Sequence, residues 1–350
     1  MDRTAHATIF AGPEGVGKFK TASAWADLLL CLEPARQGDG FEACGHCASC
    51  RAWEGHSHPD FFHIYKELRE FTKDGKGKAA PVDMPVDVIR EFLIGKVATR
   101  PTLSKRKVFV VSEAEKLNVS SQNALLKILE EPPSYCCIVL LCTRLEKLLP
   151  TTKSRTQIIR FGPVDHARIA AHLQGLGLEI EKAAYFAHLS EGSLGMACNW
   201  AELEKAGANL YGFKTGLVSQ IVGLQLPQCL SLAEDLLAGG KSILETWTSL
   251  DSVTSRTDLN RRALKTVVSM IVGVLKDVMT QPLGLPDPCM NSDQMALIHQ
   301  AALRMGPQEA AKKIAECFEA MRWIEAGVNE RLIFERLLLR IAGSGILSGL

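Results

Sequence analysis

Between residues 12 and 18 the chain reads Gly12-Pro13-Glu14-Gly15-Val16-Gly17-Lys18, directly after the apolar run Thr8-Ile9-Phe10-Ala11 and ahead of the helix-forming run Thr21 to Leu30. Few short stretches limit a fold as strongly. A strand, a glycine-rich turn and a helix start in that order make a phosphate cradle. The glycines let backbone N–H groups converge on phosphate oxygens, the helix N-terminus adds partial positive charge, and a lysine reaches the outer phosphates. Gly12, Gly15, Gly17 and Lys18 are therefore the candidate phosphate-binding residues. Seven of the eight P-loop pattern positions are met, but the eighth, a Ser or Thr whose hydroxyl holds Mg²⁺, is Phe19. Thr21 is a poor replacement, because two residues along a helix is a rotation of roughly 200°, toward the opposite face. The same turn without a ligand is the alternative that these residues alone leave open.

At 350 residues the chain is long enough for two or three domains. Its 47% apolar and 23% charged residues are those of a soluble globular protein. The apolar run Val267 to Leu275 is nine residues, far short of the eighteen or so of a membrane span. The polar and charged residues after Met1 form no secretory signal, so a cytoplasmic location is expected. A net charge of +1 makes any nucleic-acid contact a local matter.

Eleven cysteines in such a chain argue for metal or core roles rather than disulfides. Cys44, Cys47 and Cys50 stand at a two-residue spacing in Cys44-Gly45-His46-Cys47-Ala48-Ser49-Cys50, and Cys31 ends the first helix upstream. Such turns aim neighbouring thiolates at one metal, and a fourth ligand closes a tetrahedral zinc site without an open catalytic position. A bacterial ferredoxin run would add a fourth Cys and a Pro where this chain has Glu54-Gly55, so structural zinc is favoured over an iron–sulfur cluster. His46, His56 and His58 are the alternative ligands.

Further along, Phe61 to Tyr65 reads as a strand, Thr72 to Lys78 as a mobile surface loop, and Asp87 to Leu93 as helical. Ser104-Lys105-Arg106-Lys107, a solvated strand entry or a phosphate contact, precedes the buried strand Val108 to Val111. In P-loop ATPases a strand of this kind ends in an Asp that holds Mg²⁺, with a neighbouring Glu that orients water. Here the Asp position is Ser112, and Glu113 stands at the Glu position. Phe19 and Ser112 are two losses at one metal and argue against hydrolysis. Asn118 is a candidate N-cap for the amphipathic helix Gln122 to Glu131, which Pro132-Pro133 stops. The strand Ile138 to Cys142 ends at Thr143, a further candidate pocket residue, and a last strand runs from Gln157 to Phe161. Strands alternating with helices predict a parallel α/β sheet covered on both faces.

The residues Gly12 to Lys18, Cys31 with Cys44 to Cys50, His58-Pro59-Asp60, Gln122 to Pro133, Leu148 to Arg155 and Asn329 to Ile341 come in one order over nearly the whole chain. In that combination the sequence resembles the delta-prime family of bacterial DNA polymerase III clamp-loader subunits, which are AAA+ proteins. The related ATP-hydrolysing gamma/tau subunit shares much of the pattern. Phe19, Ser112 and Gly195-Met196 at the lid arginine position remove ATPase parts, and the sequence stops at Leu350 without the long gamma/tau tail. These departures favour delta-prime over a gamma/tau-like subunit or an independent AAA+ ATPase.

The resemblance implies a P-loop AAA+ domain over residues 1–162 with a zinc module at 31–50, a helical lid at 163–207 and a helical C-terminal collar at 208–350. It implies gamma/tau and delta as partners, with the beta sliding clamp and primed DNA reached through the complex. The subunit is expected to have little or no ATPase, ATP and Mg²⁺ binding being weak or absent, and to belong to a DNA-directed DNA polymerase complex. Arg155, in Ser154-Arg155-Thr156, is implied as an arginine finger acting in trans on ATP of the adjacent gamma/tau subunit. A structural arginine paired within its own domain is the alternative. The leucines of the last segment, Leu332, Leu337, Leu338 and Leu339, are expected to be mostly core.

Overall fold

A computed structural model describes residues 5–38, 40–73, 83–252, 254–283 and 289–343. The chain divides into two compact units, Met1–Pro163 and Val164–Leu350.

In the first unit β1 (Ala7–Ala11) runs into the glycine turn, and α1 (Lys18–Leu30) starts straight after it, three residues earlier than the apolar pattern suggests. Gly17 sets that start, at φ 97° in the left-handed region. The segment between Cys31 and Cys44 holds a hairpin of β2 (Ala35–Gln37) and β3 (Gly40–Glu42), followed by α2 (Ala48–Glu54). Then come β4 (Phe61–Ile64), β5 (Lys107–Val111), α3 (Val119–Glu130), β6 (Cys136–Cys142) and β7 (Gln157–Arg160). They form a five-stranded parallel sheet of order β4-β5-β6-β1-β7.

Alternate residues of each strand face opposite sides of a sheet. Ile9, Phe109, Val111, Ile138 and Leu140 pack on one side under α3 and the helical stretch 86–97. Phe10, Val108, Val110, Val139 and Leu141 pack on the other under Ala22, Ala26, Leu29 and Leu30 of α1. Both faces are covered, which is why the strands read as continuous apolar runs. Asn118 caps α3 as expected, its Oδ1 accepting from the Ser121 N–H at 2.8 Å. The loop expected from Thr72 begins differently, because Thr72 is buried and its hydroxyl donates to the Arg69 carbonyl at 2.7 Å. The part of that stretch beyond Lys73 lies outside the described residues.

The second unit is helical over its described residues: α4 (His166–Gly175), α5 (Ile180–Leu189), α6 (Leu194–Leu203), α7 (Leu210–Val222), α8 (Cys229–Leu250), α9 (Arg256–Thr280), α10 (Met295–Arg304), α11 (Pro307–Ala326) and α12 (Glu330–Ala342). Asp165 caps α4 by accepting from the N–H groups of Ala167 and Arg168. One hydrophobic core runs from Ile169 to Ile341, so the segments on either side of residue 207 share it. Leu337 and Leu338 belong to this core, whereas Leu332 and Leu339 are exposed.

Candidate functional site

In a parallel α/β sheet, ligands bind beyond the carboxyl ends of the strands, where the chain reverses its order of winding. The glycine turn follows β1, Ser112 and Glu113 follow β5, and Thr143 follows β6, so these candidate residues share that edge. Gly12 has no room for a side chain, since a Cβ there would run into the Phe161 carbonyl oxygen. Gly15 and Gly17 both take positive φ, at 74° and 97°, which frees the turn's N–H groups to point inward. Lys18 Nζ donates to the Gly12 carbonyl at 2.6 Å and to that of Pro13, capping the turn. Burial lowers its pKa, and Glu115 leads the charges that raise it again.

Glu115 was invisible to the motif reasoning. Its carboxylate accepts from both the backbone N–H and the hydroxyl of Thr143, so strand ends β5 and β6 are joined there. Glu113 points elsewhere, since its residue sits at φ 51° and its carboxylate pairs with Lys116. The spacing of two residues between the glutamates, with a left-handed turn at the first, is the only sequence trace of this exchange.

The two positions that depart from the P-loop pattern are bridged by a third residue. The His63 ring packs on Phe19 with centroids 4.7 Å apart, and its Nε2 lies 2.8 Å from Ser112 Oγ. Burial lowers the His63 pKa, so the imidazole is neutral at pH 7. A hard divalent ion needs several oxygen ligands. An aromatic ring, an imidazole and a neutral hydroxyl do not supply them, so these residues do not fit Mg²⁺.

Arg155 follows the short helix Pro150–Lys153 at the edge of the sheet, just before β7. Its Nη2 pairs with Glu130 Oε1 at 2.7 Å, and its Nη1 donates to the Thr151 carbonyl at 3.0 Å. The side chain remains one-third exposed, 33%.

The cysteine centre lies apart from this pocket. The backbone N–H of Cys31, the cap of α1, donates to the Asp27 carbonyl, the β2–β3 hairpin returns the chain, and Gly45 turns it at φ 75°. Cys47 then caps α2, its sulfur accepting from the Cys50 N–H at 3.4 Å. The four Sγ atoms lie within 4.8 Å of one another, with Cys31–Cys50 at 3.6 Å, Cys44–Cys50 at 3.9 Å and Cys31–Cys47 at 4.0 Å. Four thiolates at the usual Zn–S distance of about 2.3 Å would be about 3.8 Å apart. Burial pushes the Cys47 thiol up, but N–H groups of Cys50 and Leu32 outweigh it and draw the pKa to about 6. Burial and the neighbouring thiols push Cys50 up to about 12, and burial raises Cys31. A cation is what would let all of them carry charge together. The cluster could hold a metal ion.

His46, His56 and His58 are not part of it. His58 instead bonds Ser49 Oγ at 2.8 Å, and Ser49 donates to the Leu30 carbonyl, which fastens the cysteine module to the sheet. Lys107, from the basic run, is buried and donates to Lys96 O and Thr99 Oγ1, which rules it out as a phosphate contact.

The first unit is thus a parallel α/β domain with a P-loop type of turn at its strand ends, and the second is helical over its described residues. The profile of the family "DNA polymerase III, delta subunit" matches residues 1–165, and that of its C-terminal part matches residues 244–343. The chain belongs to the DNA polymerase III delta-prime family. It is 40% identical to DNA polymerase III subunit delta' of Pseudomonas aeruginosa over 43% of this chain and 41% of that one. It is 24% identical to subunit delta' of Bacillus subtilis over 97% of this chain and 92% of that one. Against subunit tau/gamma of Haemophilus influenzae the identity is 33%, over 49% of this chain and 22% of that protein. The matched stretch is thus less than half of the Pseudomonas and Haemophilus relatives.

Proposed function

We propose that this chain is the delta-prime subunit of a bacterial clamp loader, assembling with gamma/tau and delta to place the ring-shaped beta clamp on primed DNA at the expense of ATP bound by its neighbours. The observation that carries this reading is the phosphate loop kept intact beside a magnesium position taken up by Phe19, His63 and Ser112. Such a subunit contributes shape and an arginine to the ring rather than turnover of its own. On this reading Gly12, Gly15, Gly17 and Lys18 hold phosphate weakly, and Thr143 borders the site with Glu115 in the place expected of Glu113. Residues 163–207 act as lid and 208–350 as collar. Zinc is the metal of Cys31, Cys44, Cys47 and Cys50, where it fixes the insertion after α1.

Arg155 acts in trans. A guanidinium is permanently charged and presents a planar fork of donors, suited to charge developing on a transferred phosphoryl group. Its position before the edge strand β7 and its partial exposure leave it able to face a neighbour, once it exchanges Glu130 for the phosphates.

No described helix is long and apolar enough to cross a membrane, and the proposed site of action is the cytoplasm. Co-expression with gamma/tau and delta tests the function: the chain should co-purify in one assembly, and alone it should show negligible DNA-stimulated ATP hydrolysis. Robust hydrolysis by the isolated chain would favour a gamma/tau-like or independent AAA+ ATPase instead.

A further inference from the structure

His63 lies on β4, away from every motif of the phosphate loop, yet its side chain reaches both altered positions. In other P-loops, the counterpart of Phe19 offers a hydroxyl and the counterpart of Ser112 a carboxylate, and the divalent ion sits between them. Here the imidazole spans that gap, tilted against Phe19 with ring centroids 4.7 Å apart and hydrogen-bonded to Ser112 Oγ at 2.8 Å. We propose that His63 fills the place of the magnesium ion, so that the loop takes nucleotide phosphates without a divalent metal and would refuse that metal even with oxygen ligands restored at positions 19 and 112.

The ring is held in place. Tyr65 also packs against it with centroids 5.0 Å apart, so Phe19 and Tyr65 both limit its swing. Imidazole nitrogen suits zinc or copper, while Mg²⁺ selects oxygen. The carboxylate next to Ser112 offers no relief, since Glu113 pairs with Lys116. Phosphate contacts remain to the N–H groups of the glycine turn and to Lys18, neither of which needs a metal.

The inference rests on reading residues 12–18 as a phosphate cradle, and calorimetric titration of the full chain with ATP, in Mg²⁺ and in EDTA, tests the two separately. The chain itself and the Phe19→Thr/Ser112→Asp variant should both change affinity by less than about threefold on adding Mg²⁺, whereas the further change His63→Ala should open a gain of about tenfold or more. A tenfold gain in the variant that still carries His63 overturns the inference. So does a triple variant that keeps its melting temperature and gains nothing. Should the alanine variant unfold, His63→Ser is read in its place. The His63 imidazole resonance of the unaltered chain gives an independent reading: it should stay fixed when Mg²⁺ joins bound ATP, and a metal-induced shift overturns the proposal. If none of the folded variants binds ATP under either condition, the cradle reading fails and takes this inference with it. Co-purification with the partner subunits, which tests the proposed function, would be untouched.

Discussion

Arg155 is the side chain on which the proposed mechanism turns, and in the chain alone it is tied to Glu130. Partly exposed pairs of this kind contribute about 0–1 kcal/mol, so Arg155→Ala should shift the urea midpoint of the isolated subunit very little. Arginine fingers contribute on the order of 10³ to 10⁵ in rate at their own site, and here one site of several is affected. The reconstituted Arg155→Ala complex should therefore assemble but hydrolyse ATP more slowly in the presence of clamp and primed DNA. Unchanged steady-state hydrolysis and clamp loading would reduce Arg155 to the partner of Glu130. Asp60 offers the opposite contrast. It is fully buried, and its carboxylate accepts from the N–H groups of Thr102, Leu103 and Ser104 at 2.7–2.8 Å. Asp60→Ala removes the buried acceptor shared by three N–H groups, of which those of Leu103 and Ser104 belong to half-buried residues and that of Thr102 to an exposed one, so it should cost about 1–3 kcal/mol in a denaturant titration.

Among the elements, the cysteine module is the one whose four thiols lie close enough to share an ion. Cys31 closes α1 and Cys47 opens α2, so the metal would pin two helix ends and the hairpin between them. Metal analysis should return about one zinc per chain. Cys47→Ser should lower that content and the melting temperature of the first unit by several degrees, with less effect on clamp loading by the assembled complex. Iron in place of zinc, or undiminished zinc in Cys47→Ser, would remove the assignment. The central strands β1, β5 and β6 were legible because they are buried throughout and so read as near-continuous apolar runs. The β2–β3 hairpin was not, since all its described residues are exposed and carry no periodic signal. The start of the first helix at Lys18 was missed by three residues, because a polar first turn hides a boundary that a left-handed glycine sets, whereas Asn118 marked the start of α3 at Val119.

For the whole molecule, the helical unit is held by more than its core. Lys214, 1% exposed, pairs with Asp293, and its ammonium sits 4.9 Å and 4.7 Å from the ring centroids of Tyr185 and Tyr211. This joins α5, α7 and the segment before α10, elements far apart in sequence. The Asp293 side chain keeps 24% exposure, so Lys214→Ala loses the pair and the ring contacts without burying a lone charge. It should lower the stability of the helical unit by about 1–3 kcal/mol, read by urea unfolding. A loss well below that would mean that the pair and the ring contacts contribute little.

The sequence by itself determined the parallel α/β domain, the phosphate turn, the cysteine quartet and the helical remainder, because local geometry and apolar periodicity are written in neighbouring residues. It also marked Phe19 and Ser112 as departures from the pattern. Only the tertiary structure brought His63 between them, exchanged Glu113 for Glu115 beside Thr143, bound Arg155 to Glu130 and took Lys107 and His58 into the interior. These contacts join residues on different strands and loops. Their partners are chosen by strand order and register, which no local stretch of chain encodes.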